Sequence, residues 1–96
     1  TFQVPMGIIF IERGDTMNIG DAVRQRILEL CEINDISVNK LSNISGVTQS
    51  TVNNIVSGRN NSATISTIKK LCDGLGISIE EFFNSDIFRG LEQEIK

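Results

Sequence analysis

The stretch GVTQSTVNNIVSG, residues 46–58, decides the fold. No charged residue lies in it, although the chain as a whole is acidic, with formal net charge −3. Thr48 is a residue type that caps helix starts, and Gly58 is the type that stops helices. Placed at about 100° steps from Gln49, the side chains of Gln49, Ser50, Asn53, Asn54 and Ser57 fill an arc from roughly 0° to 140°. Val52, Ile55 and Val56 fall between roughly 240° and 340° on the same wheel. The spacing predicts a short helix that buries a narrow aliphatic stripe and turns amides and hydroxyls outward. By default such an outer face is simply solvated, so its meaning depends on its neighbours.

Immediately upstream, Ser37 is an N-cap for a helix over Val38–Ile44, which Gly46 ends. Only Ser45-Gly46-Val47 separate this helix from the next. Two helices joined so tightly, with Gly in the turn, predict a helix-turn-helix. Their close crossing calls for a small residue on the first of them, and Ser42 lies four before the glycine.

Further out the pattern stays helical. Apolar residues at 19, 23, 27, 30 and 31 give Ile19–Ile33 one buried face. Ala63 or Thr64 opens a fourth helix carrying Ile65, Ile68, Leu71, Cys72 and Leu75, closed by Gly76. Ser78 with Glu81 forms a capping box before Phe82 and Phe83. Residues 86–96 add a turn or two. The expectation is an all-α, compact five-helix domain over 17–84 with a C-terminal tail at 85–96, a possible dimer or partner contact. Phe82, Phe83, Ile87 and Phe88 are read either as core plus a dimer surface or as a purely intramolecular core.

Residues 1–16, TFQVPMGIIFIERGDT, differ: they alternate as a strand does and hold the single Pro. They are read as a short N-terminal extended segment. Glu12-Arg13-Gly14-Asp15 can be encoded by a purine run like a bacterial ribosome-binding site, just ahead of Met17. Natural translation is therefore expected to begin at Met17, with 1–16 an upstream extension.

Composition narrows the function. The chain has 96 residues, no His, Trp or Tyr, and two Cys. Without His, the commonest general base and metal ligand are both missing. No nucleophile–base spacing or phosphate loop is present, so no catalytic residue, metal or cofactor is expected, and the protein is read as no enzyme. Cys31 and Cys72 are too far apart for CxxC chemistry and are expected as buried thiols. No apolar run approaches the roughly 20 residues that span a bilayer. A soluble, cytoplasmic protein without membrane contact is expected.

With these motifs in place, the segment from about Ile19 to Phe83 resembles the phage-repressor and Cro type of helix-turn-helix, the XRE-like family. The resemblance rests on Ser42, the turn Gly46, Val52 and Ile55, the Ser57-Gly58 end, the T-I-x-T-I opening of helix four, and LGIS before the last helix. It implies a lambda-repressor-like fold whose third helix lies in the major groove of double-stranded DNA. It also implies base contacts from Gln49, Ser50, Asn53 and Asn54. Backbone contacts would come from Ser37, Asn39 and Lys40 at helix two, from Thr48 and Thr51, and from Arg59, Asn60, Asn61 and Thr64 between helices three and four. The family commonly has a phosphate-gripping Gln just after the cap of helix two, where this chain has Val38.

The chemistry agrees with that resemblance. A side-chain amide offers a donor and an acceptor together, matching N6 and N7 of adenine. No Arg or Lys lies on the arc to take guanine, so an A·T-containing site is expected. The acidic total hides a division of charge. Residues 37–72 contain Lys40, Arg59, Lys69 and Lys70 and no acid, a segment charge of +4, while the other 60 residues carry −7. The expected function is a sequence-specific bacterial transcription regulator, a repressor binding a two-fold operator as a homodimer. Two alternatives stay open: an antitoxin whose tail binds a partner toxin, and a protein–protein adaptor that has lost DNA binding.

Overall fold

The computed structural model describes residues 17–59 and 63–95. The extended segment expected over 1–16 lies outside the described residues. Five α-helices follow in order: α1 (Ile19–Ile33), α2 (Val38–Ser45), α3 (Gln49–Val56), α4 (Ile65–Leu75) and α5 (Ile79–Phe83). A short 3-10 helix, Asp86–Phe88, comes after them, and no strand occurs among the described residues.

Every helix starts where a side-chain oxygen replaces a missing backbone acceptor. Asn18 accepts from the N–H of Asp21 at 2.8 Å, Ser37 from Lys40 at 3.0 Å and Thr48 from Thr51 at 3.3 Å. Thr64 accepts from Thr67 at 3.1 Å. At α5 the capping box is complete: Ser78 Oγ accepts from Glu81 N, and Glu81 Oε1 accepts from Ser78 N. Two helices end on left-handed glycines, Gly46 (φ 68°) and Gly76 (φ 73°), a conformation other residues adopt at a cost. In contrast, α1 ends through Asn34 with Asp35 at φ 55°.

The core joins Val23, Ile27, Leu30 and Cys31 of α1 to Leu41, Val52, Ile55, Ile68, Leu71, Cys72 and Phe82. Both thiols are buried as expected, and burial raises their pKa. Helix α2 packs against both α3 and α4, and α3 also rests on α1. Ser42 is almost fully buried, and its hydroxyl donates to the carbonyl of Asn39 at 2.8 Å. That internal bond lets a small polar side chain sit in the core. The α2–α4 contact depends on Gly74, where a Cβ would stand 3.0 Å from Ser45 Cα and 3.1 Å from the Ile44 carbonyl.

One buried cation ties α5 to α1. Arg26 of α1 donates from Nε to the Phe82 carbonyl at 2.6 Å and from Nη2 to the Glu81 carbonyl at 2.8 Å. Its Nη1 donates to Glu29 Oε1 at 2.8 Å. The 3-10 helix folds back on α1, with the Phe88 ring 4.8 Å from that of Phe83. Beyond it, the Glu92 N–H donates to the Met17 carbonyl at 3.2 Å.

Candidate nucleic-acid interface

The site begins with the packing of α3. Val52 and Ile55 are buried and Val56 is half-buried against the core, which fixes the rotation of the helix. Gln49, Ser50, Asn53 and Asn54 are therefore all exposed. The predicted arc is present as one face. Val47, in the turn, also packs against the core and holds the angle at which α3 leaves α2.

Hydroxyls cluster at the start of that face. Thr48 Oγ1 accepts from the N–H of Thr51 and donates to Thr51 Oγ1 at 2.8 Å. Ser50 Oγ lies 3.5 Å from Thr48 Oγ1. A hydroxyl has one proton, so Thr51, which accepts from Thr48, retains its own proton for an outside acceptor. The same arrangement recurs at the start of α4, where Thr64 Oγ1 donates to Thr67 Oγ1 at 2.9 Å and Ser66 Oγ stands 3.4 Å away. The letters repeat as well: TQST at 48–51 and TIST at 64–67. That repeat is a sequence signal for the paired hydroxyl clusters.

The backbone candidates divide. Ser37, Asn39, Lys40, Thr48, Arg59 and Thr64 are exposed, and Thr51 is half-buried. The hydroxyls of Ser37, Thr48 and Thr64 serve as helix caps. Asn60 and Asn61 lie outside the described residues. Val38 packs against the core, so this position carries no polar grip at the start of α2.

Electrostatics sharpen the picture. Arg24 pairs with Asp21, Arg26 with Glu29, and Arg89 with Asp86. Lys69 pairs with Asp73, one turn further along α4, so its charge is partly neutralised. Lys40, Arg59 and Lys70 make no ion pair among the described residues, and all three belong to the acid-free segment 37–72. Among the described residues, the cations without an ion pair thus belong to the acid-free segment that contains α3, while the acids lie elsewhere along the chain.

Comparison with known proteins agrees with the helix-turn-helix fold. Residues 26–85 match the family model described as the Cro/C1-type HTH DNA-binding domain. Among solved structures, the crystal structure of the prophage Lp1 protein 11 is similar, with 36% sequence identity and a TM-score of 0.66. The match covers 73% of this chain and 92% of that one. No curated protein matches the chain.

Proposed function

The chain belongs to the Cro/C1-type helix-turn-helix DNA-binding family, and from that membership we propose that it is a transcriptional repressor acting on a two-fold operator. The protein works in the cytoplasm, where the DNA is. Helix α3 enters the major groove, with Gln49, Ser50, Asn53 and Asn54 on base edges. Lys40, Arg59 and Lys70 hold phosphates, and Thr51 donates its remaining hydroxyl proton to another. The observation that carries this reading is an uncharged, exposed amide face on α3, in an acid-free segment with three cations that form no ion pair among the described residues.

Lys40, Arg59 and Lys70 give modest affinity to one subunit, because each neutralised phosphate adds a limited share. A homodimer doubles the contacts and places two α3 helices about 34–36 Å apart on half-sites one helical turn apart. The antitoxin alternative would use the tail as its partner-binding element. Phe83 and Phe88 pack against the domain's own core, which leaves less apolar surface for that purpose.

The experiment is selection from random duplexes, followed by Gln49→Ala with Ser50→Ala on the recovered site. A palindromic, A·T-containing site and loss of base preference in the variant are expected. Unchanged binding together with unchanged base preference would remove α3 from the interface.

A further inference from the structure

Gln49, Asn53 and Asn54 are exposed on α3, and none of their side-chain amides bonds to another group among the described residues. Each keeps a free donor and a free acceptor. The arc they occupy holds no Arg or Lys. The bidentate match for a side-chain amide is adenine, through its N7 acceptor and N6 donor, whereas the hydroxyl of Ser50 on the same face can serve either polarity.

Adenine N6 carries two hydrogens. In a duplex one is engaged by thymine O4, and the other faces the major groove. Methylation at N6 places the methyl group in the groove position, since the pairing hydrogen must be kept. An amide that donates to N7 and accepts from N6 then loses a donor and meets a methyl group. Resting on the reading above, we propose that this protein discriminates against N6-methyladenine in its operator, so that adenine methylation releases it. The phosphate contacts of Lys40, Arg59 and Lys70 are blind to the modification. With no guanidinium on the arc, no neighbouring guanine contact compensates. Methylation therefore acts on base choice alone.

The test uses the full chain and the duplex recovered by random selection, synthesised with N6-methyladenine at one position at a time. A bidentate amide–adenine pair contributes enough that its loss weakens binding about tenfold or more. That loss is expected at one or more operator adenines, with the salt dependence unchanged. In one of Gln49→Ala, Asn53→Ala or Asn54→Ala, the ratio between the two duplexes should fall to near one at the adenine that side chain reads. Lys70→Ala should weaken both duplexes alike and keep the ratio. Equal or tighter binding of every methylated duplex overturns the proposal, as does a selected site without an invariant adenine. A ratio that survives all three amide substitutions overturns it too. Failure to select any duplex would instead overturn the DNA-binding role on which the proposal rests.

Discussion

The Arg26 guanidinium donates to the carbonyl oxygen of Phe82, 56 positions later in the chain, at 2.6 Å. A second nitrogen takes the Glu81 carbonyl, so one side chain satisfies two main-chain acceptors near the end of α5. A cation at a helix C-terminus is also favoured by the helix dipole. Arg26 is nearly buried, and its Glu29 partner completes the set.

Removing this side chain should therefore cost more than a surface pair. Arg26→Met keeps most of the apolar stem but leaves two carbonyls without donors. Hydrogen bonds to charged groups contribute about 1.5–3 kcal/mol, and a loss in that range is expected in urea unfolding. Arg26→Lys should recover only part of it, because an ammonium lacks the planar fork. A variant within 0.5 kcal/mol or so of the parent, an ordinary surface effect, would deny Arg26 this role.

Gly74 and Ser45 make the second test. Alanine is about 1 kcal/mol better than glycine inside a helix, so Gly74→Ala would stabilise a freely exposed position. Here the added Cβ would meet Ser45 Oγ, 3.0 Å from Ser45 Cα and 3.1 Å from the Ile44 carbonyl. Backbone cannot step aside as a flexible side chain can. Overpacking of this kind costs about 1–3 kcal/mol, so net destabilisation is expected, read as a lower melting temperature. Ser45→Ala alone should be neutral or slightly stabilising, since Ser45 Oγ is buried without a hydrogen-bond partner among the described residues.

These two contacts mark where sequence reasoning stopped. Helix starts were legible because a cap and its target N–H lie three residues apart, as at Ser37 and Lys40. The outer face of α3 was legible because Val52 and Ile55 fix its rotation through a local period. Second-helix length was short by one residue: α2 extends to Ser45, and Gly46 caps it. Arg26 was illegible because its acceptors are main-chain atoms far along the chain, and no side-chain pattern announces them. Gly74 was illegible because its need depends on how closely α4 approaches α2, not on α4 itself. Lys69 is not a free charge: it pairs with Asp73 at ordinary i,i+4 spacing, just beyond the acid-free segment 37–72.

Asp35 offers a stabilising substitution. It adopts φ 55° just beyond the C-terminus of α1, where an L-residue is strained and a negative charge opposes the helix dipole. Asp35→Gly relieves both and should raise stability by about 1 kcal/mol. Asp35→Asn relieves mainly the charge and should gain about half as much, with most of that gain lost at high salt. Equal gains from both at high salt would assign the effect to something other than backbone strain.

The two thiols give a pH signature. Burial raises the pKa of Cys31 and Cys72 above the ordinary value of 9.0. The unfolded chain therefore loses these protons first as pH rises. Their contribution to stability is whole below pH 9.0 and declines as pH climbs through the raised native values. Cys31→Ala/Cys72→Ala should flatten that alkaline decline while lowering stability at neutral pH through lost packing. A disulfide-exchange reagent at neutral pH should label the parent only as fast as the domain opens.

The pairing of Lys69 with Asp73 makes adjacent lysines unequal, and salt dependence should reveal it. Both are exposed residues of α4, but Lys70 has no acidic partner among the described residues. Each phosphate neutralised adds about 0.9 to the slope of log affinity against log salt. Lys70→Ala should therefore reduce that slope by about 1 per subunit while leaving base preference intact. Lys69→Ala should change it less, because its ammonium must first leave Asp73. Asp73→Asn provides the converse: it frees Lys69 and should steepen the salt dependence while strengthening binding at low salt. Slopes for Lys69→Ala and Lys70→Ala that both equal the parent's, with no effect of Asp73→Asn, would show that neither lysine reaches a phosphate and would leave Lys40 and Arg59 as the electrostatic contacts.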